Sequence, residues 1–156
     1  ADVLIVYVLS SSPKFFEHMV VELLLAMGYG GALGSGQATR ITNDGGIDGI
    51  IQEDKLGLDK IYIQAKRWGR DQCVGRPDVQ GFAGSLAGEG ATKGVFITTS
   101  YFSKSAIEYA ERVPNLKIIL IDGTQLARLM IEHNIGVSIE QTYTLKRVDR
   151  DYFNVD

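Results

Sequence analysis

The stretch Lys60–Trp68, KIYIQAKRW, is the clearest β-strand in the chain, and the rest of the fold is read outward from it. Ile61, Ile63 and Ala65 alternate with Tyr62, Gln64 and Lys66, the period-two pattern of a strand. Side chains two residues apart leave the same face, so Gln64 and Lys66 stand next to each other, with Tyr62 alongside. Upstream, Gly45–Ile51, GGIDGII, reads as a second strand entered through glycines. The turn-rich QEDKLGLD between the two makes an antiparallel hairpin the expected pairing. Asp48 is expected within this second strand, between Ile47 and Ile50. Aspartate is a poor strand former, and its place in a β-branched run implies a compensating role.

Before the hairpin, Ser12-Pro13 has the form of an N-cap followed by proline at the first helical position. Phe16, Met19, Val20, Leu23, Leu24 and Met27 then recur at helical spacing as far as Gly28. GYGGALGSG is a loop: it follows a helix and lacks the lysine of a phosphate-binding GxxxxGK[ST]. A short strand is expected near Ala38–Ile41. After the hairpin, Pro77 starts a helix carrying Val79, Phe82 and Leu86. Gly94–Thr99 is a buried strand, and Ser103 caps a helix reaching about Arg112. Lys117–Ile121 is another buried strand, Thr124–His133 an amphipathic helix, and SIEQTYTLKRV alternates like an edge strand. This order describes an α/β fold with a mixed central sheet flanked by helices.

The chain has 156 residues, a net charge of −3 and one cysteine, Cys73. That length suits one domain with a single good core. An internal disulfide is impossible with one cysteine, so a reducing cytoplasm is the expected setting. No apolar run reaches the roughly 18–20 residues of a membrane span. The opening ADVLIVYVL lacks the basic flank of a signal peptide. Residues 1–11 are therefore expected to be a linker or the remnant of an upstream segment, and residues 12–156 the domain. The slight acidity argues mildly against nucleic acid, which favours basic proteins, although acidic metal ligands count toward it.

Asp48, Gln64 and Lys66 form a set with a definite chemistry. A carboxylate and an amide oxygen are hard ligands suited to Mg²⁺, with Mn²⁺ as a substitute, and the carbonyl of Ala65 is a further donor. A lysine beside metal and phosphate orients water and offsets phosphoryl charge. Such a set can hydrolyse a phosphodiester. On spacing alone a Gln-x-Lys pair on a strand is usually just a solvated face, and a lone Asp beside glycines is more often a turn or cap residue.

The segments SPKFFEHMVVELLLAMGYGG, NDGGIDGIIQEDKLGLDKIYIQAKRW, VGRPDVQGFAGSL and KGVFITTSYFSKSAIEYA resemble the Mrr-type restriction endonuclease catalytic domain, of the PD-(D/E)xK nuclease superfamily. The likeness runs from about Ser12 to about Phe153. It implies a restriction-endonuclease-like αβββαβ core and Mg²⁺-dependent cleavage of double-stranded DNA, often modified DNA. It also implies an upstream DNA-recognition domain, for which this chain has no room; a homodimer is a candidate assembly, and a two-fold dimer is the form a resolvase would take. By the resemblance, Asp48 is the motif aspartate and a metal ligand, Gln64 stands where Asp or Glu is usual, and Lys66 is the motif lysine. Glu17 matches the acidic residue of the first helix, or is an exposed glutamate. Gln80 matches a glutamine directed at the site or the DNA. Two rival readings are a structure-specific nuclease, such as a junction resolvase or repair enzyme, and a non-catalytic DNA-binding module of the same fold.

DNA contact requires cationic and planar groups near this patch. Lys66, Arg67, Trp68, Arg70 and Arg76 follow the motif strand, and the arginines and lysines supply the phosphate term. Ser100, Ser103 and Lys104 lie where a buried strand ends and a helix begins, a usual ligand position in α/β sheets. Helix capping is the alternative role of Ser103. Neither His18 and His133 nor Cys73 forms a catalytic pair.

Overall fold

The computed structural model describes residues 1–30, 39–41, 46–54, 56 and 58–154. The elements run α1 (Asp2–Ser10), α2 (Pro13–Ala26), β1 (Thr39–Ile41), β2 (Gly49–Gln52), β3 (Lys60–Lys66), α3 (Arg76–Gly88), β4 (Lys93–Thr98), α4 (Lys104–Arg112), β5 (Lys117–Ile121), α5 (Gly123–Glu132) and the short α6 (Arg150–Phe153). The five strands form one sheet in the order β1-β2-β3-β4-β5. β1, β2 and β3 pair antiparallel, whereas β3, β4 and β5 pair parallel. The sheet is mixed, as the sequence implied, and α2-β1-β2-β3-α3-β4 is the expected αβββαβ order.

Strand alternation sorts the core into two layers. Ile51, Ile61, Ile63, Val95, Ile97 and Ile121 pack with α1, α2 and α5 on one face. Ile50, Tyr62, Phe96 and Ile118 pack with α3 and α4 on the other. On that second face Phe96 meets Phe82 and Phe102 edge-on, with ring centroids 5.6 and 5.4 Å apart. Gly94 makes room for this packing: a Cβ there would lie 2.7 Å from Phe82 Cζ and 2.8 Å from Leu86 Cδ1.

The helix starts follow their caps. Ser12 Oγ accepts from Phe15 N–H at 3.0 Å, Ser103 Oγ from Ala106 N–H at 3.1 Å and Asp122 Oδ1 from Gln125 N–H at 2.9 Å.

Three expectations change. Residues 1–11, expected as a linker or remnant, contain a helix whose Ile5 and Val8 enter the core. The apolar run is thus half of a packed interface with α5, and its lack of helical amphipathicity concealed it. Residues 138–149 form no strand; Ile139, Tyr143 and Leu145 are exposed and bond to no sheet edge in this structure. Asp48 lies just before β2 rather than within it. Ala38 and most of the GYGGALGSG loop fall outside the described residues.

Candidate active site

The β2–β3 ladder ends where the polar residues begin. Gly49 pairs with Ile63, and Asp48 N–H still donates to Ile63 O at 2.8 Å. The next β3 residue bonding toward that side, Ala65, pairs with Ile97 of β4 but has no partner in β2. Asp48 replaces one with its side chain: Oδ2 accepts from Ala65 N–H at 2.7 Å. In an extended strand a residue's N–H and C=O point the same way. The Ala65 carbonyl is therefore directed to the side occupied by the Asp48 carboxylate.

Burial raises the Asp48 carboxyl above the ordinary aspartate range, against the Ala65 hydrogen bond and the nearby Lys66 ammonium, which lower it. Glu17 on α2 is raised too, first by burial and then by repulsion from Asp48; His18 and Lys14 oppose the shift. Two acids thus share one neighbourhood, each held less readily as an anion than in water, a condition that a cation relieves.

Gln64 is 9% exposed, and its Oε1 has no hydrogen-bond partner among the described residues. A buried carbonyl oxygen is rarely left unpaired, and each such case calls for an explanation. Gln64 and Lys66 line an open cleft of about 310 Å³ with Gly46, Pro77, Asp78, Gly81, Phe82 and Ser85. Gly46, at φ +82°, forms the entry turn, and a Cβ there would come 3.1 Å from Ser85 Oγ.

The donor set fits a hard divalent cation. The donors lie near the end of the ladder: the Asp48 carboxylate held on Ala65 N–H, the Ala65 carbonyl on the same side, and the unpartnered Gln64 Oε1 of the adjacent residue, which lines the cleft on the α3 side; Glu17 on α2 is a second acid near Asp48. Among the described residues no three His, Cys, Asp or Glu side chains gather, so a carboxylate-rich or thiolate site is not what these residues offer.

The expected DNA contacts divide into two groups. Arg76 and Lys104 are exposed, as is Gln80, and the Arg76 guanidinium lies 5.4 Å over the Tyr109 ring. Trp68 is partly buried, with Lys66 Nζ 5.8 Å from its ring. Arg67, Ser100 and Ser103 have internal partners. Arg67 projects to the opposite face, where Nη1 donates to Leu9 O at the end of α1. Ser100 Oγ donates to Gln72 O, and Ser103 caps α4.

Sequence reasoning missed the clamp that holds the motif strand's exit. Thr98 Oγ1 donates to Lys66 O at 2.9 Å and Thr99 Oγ1 to Trp68 O at 2.6 Å. With Ser100, these hydroxyls fix the segment 66–72 against β4. The signal was present: three successive hydroxyl residues ending a buried strand must find acceptors.

Comparison with known proteins shows the family and the fold. The family model of the Mrr catalytic domain, restriction endonuclease, matches residues 8–130. The Type IV methyl-directed restriction enzyme EcoKMrr of Escherichia coli (strain K12) is 46% identical over 153 residues, covering 98% of this chain and 49% of that protein. The chain thus spans about half the length of this curated relative. Among solved structures, the DNA modification-dependent restriction endonuclease AspBHI superposes with a TM-score of 0.64 at 20% identity, over 86% of this chain and 35% of that one. The MspJI restriction endonuclease, in complex with a 27-mer oligonucleotide, gives 0.52 at 24% identity, over 79% and 29%. These two likenesses show the fold, the restriction-endonuclease-like α/β sandwich. By its sequence, the chain belongs to the Mrr catalytic-domain family of restriction endonucleases.

Proposed function

We propose that this domain hydrolyses phosphodiester bonds in double-stranded DNA with the help of a divalent cation, Mg²⁺ or in its place Mn²⁺. The observation that carries the reading is the Asp48 carboxylate held on Ala65 N–H, next in sequence to Gln64, whose buried Oε1 is unpartnered among the described residues. Asp48, Gln64 and the Ala65 carbonyl would hold the ion, with Glu17 nearby. When bound, it supplies Lewis-acid polarisation of the phosphate and a water of lowered pKa.

The chain's own groups do the rest. Asp48 anchors the end of β3 through Ala65 N–H and so fixes the spacing between its own carboxylate and the strand. Lys66 directs its ammonium along the cleft, where it orients the attacking water and offsets charge growing on the phosphoryl oxygens. The Thr98–Thr99–Ser100 clamp holds Lys66 and Trp68 in register with β4. Arg76 and Lys104 meet phosphates, Trp68 and Gln80 flank the duplex, and Arg67, Ser100 and Ser103 serve the interface by positioning the backbone beside it.

A preference for modified DNA and an upstream recognition domain belong to the same proposal, supported by the relatives' names and by the chain's spanning about half of the curated relative; a homodimeric working form belongs to it as well. So does a cytoplasmic setting; among the described residues no helix is long and apolar enough to cross a membrane. Plasmid cleavage with and without Mg²⁺ tests the reading. The wild-type chain should nick or linearise the plasmid with Mg²⁺ alone, and Asp48→Ala and Lys66→Ala should not. Activity persisting in both variants refutes it. Branched and methylated substrates, run in parallel, separate a restriction-type enzyme from a structure-specific nuclease.

A further inference from the structure

Strand β5 is an edge of the sheet: among the described residues it bonds to β4 alone. Its sequence, KIILI, has one charge and neither proline nor glycine. An edge strand that apolar invites pairing with another strand unless something covers it. Ile119, in its middle, is 44% exposed. An open groove of about 390 Å³ runs there, with Ile107 and Ala110 of α4 and Ile118 and Ile119 of β5 among its lining. The charged residues that line it, Glu111 and Asp122, are both acids.

The chain also holds a strand-like segment without a sheet. Residues 138–148, SIEQTYTLKRV, alternate as a strand does but take no part in the pairing. Leu145 is 100% exposed, and Ile139, Tyr143 and Val148 are exposed with it. In an extended course Tyr143, Leu145 and Arg147 share one face. That face offers an aromatic ring, an aliphatic side chain and a cation, and the groove offers apolar side chains beside two acids. Thr142–Arg147 extended covers about 20 Å, against about 17 Å for the five residues of β5.

The tail's own β5 is a poor partner for it. Helices α3 and α4, which link β3 to β4 and β4 to β5, pack on one face of the sheet, and α5 packs on the other. A strand carried past β5 through α5, parallel to β5, would cross with the hand opposite to those two links. Parallel crossovers are right-handed in about 98% of cases. A second copy of the chain meets no such constraint.

We propose that Thr142–Arg147 of one copy adds as a strand to the free edge of β5 in a second copy, and that the exchange is reciprocal, closing a two-fold dimer. Leu145 fills the groove between α4 and β5, and Arg147 meets Glu111 and Asp122. This gives the homodimeric form of the proposal above its interface, and it is independent of the metal and the cleft.

The whole chain and three variants test the exchange: Leu145→Asp, Arg147→Glu, and Arg147→Glu combined with Glu111→Arg. Sedimentation velocity across the micromolar range reads the dissociation constant of the dimer. Hydrogen exchange over the same range reads the amides of Lys117–Ile121 and Thr142–Arg147. Wild type should dimerise, and both segments should gain protection as the dimer forms. Leu145→Asp should weaken dimerisation at least about tenfold, the effect of losing one buried leucine. Its melting temperature at high dilution should match that of wild type, because Leu145 is fully exposed in the single chain. Arg147→Glu should weaken the dimer as well, and adding Glu111→Arg should recover most of the loss. A dimer whose dissociation constant is unchanged in Leu145→Asp and Arg147→Glu overturns this interface and leaves the homodimer standing. A monomeric wild type with both segments protected puts the tail on its own β5 and overturns the exchange. A monomeric wild type with neither segment protected overturns the exchange and the homodimer together.

Discussion

Replacing Asp48 with asparagine should make the domain more stable while removing its activity. Asparagine keeps an oxygen to accept from Ala65 N–H, the one hydrogen bond the Asp48 carboxylate makes to a strand. It removes a negative charge that burial disfavours and that raises Glu17 in turn. A carboxyl raised on folding holds its proton more tightly in the folded chain than in the unfolded one. Its stability contribution is complete below the ordinary aspartate range and is lost as pH rises through that range to the raised value. Wild type therefore carries its full penalty near neutral pH, and Asp48→Asn carries none. Asp48 is partly exposed and solvent screens its charge, so the gain should be on the order of 1 kcal/mol. For a chain of this length that is a rise in melting temperature of about 2–4 °C. Thermal melts of both proteins without divalent ions, from about pH 4.5 to 7.5, measure it: the difference should widen as pH rises and then level off. Added Mg²⁺ should stabilise wild type and leave Asp48→Asn nearly unmoved, because only wild type offers the carboxylate. An Asp48→Asn variant that melts lower than wild type at neutral pH, or a difference that shrinks with rising pH, would refute the reasoning.

The other predictions concern the site's neighbours. Gln64→Glu should tighten divalent-ion binding, read by Mn²⁺ titration, because it adds charge where Oε1 is unpartnered, whereas Gln64→Leu should weaken it. Lys66→Ala should lose cleavage by at least about 100-fold with its melting temperature within a few degrees of wild type, since a partly exposed cation is removed. Gly94→Ala should destabilise by about 1–3 kcal/mol in a denaturant titration, because its Cβ meets the buried Phe82 ring and Leu86 below 3 Å. Arg67→Ala should loosen α1, seen as faster amide exchange in residues 2–10, because it removes the donor to Leu9 O.

The fold was legible wherever one period dominated. KIYIQAKRW, GVFITT and KIILI each carry a strand's signature, and Ser12, Ser103 and Pro77 mark helix starts by capping and fixed φ. Alternation in Lys60–Lys66 also told which residues share a face, and Tyr62 and Gln64 do stand on the α3 side while Ile61 and Ile63 face α2. Local pattern failed where long-range contact decides. DVLIVYVLS is apolar all round, so nothing in it announces a helix, and only its partners on α5 make it one. SIEQTYTLKRV alternates as a strand should, yet a strand needs a neighbour to bond to, and among the described residues none pairs with it. At the site, the pairing of Gln64 with Lys66 could be read directly. That Asp48 closes the ladder through Ala65 N–H, and that Arg67 turns away to α1, depends on residues 17 and 58 positions apart in the chain.

Locating Mn²⁺ by anomalous scattering in crystals of the domain tests the site most directly. A peak within coordination distance, about 2.1 Å, of an Asp48 carboxylate oxygen, the Ala65 carbonyl and Gln64 Oε1 is the predicted result. A Gln64 amide oxygen bonded to protein instead, with the ion bound elsewhere or absent, would contradict the account.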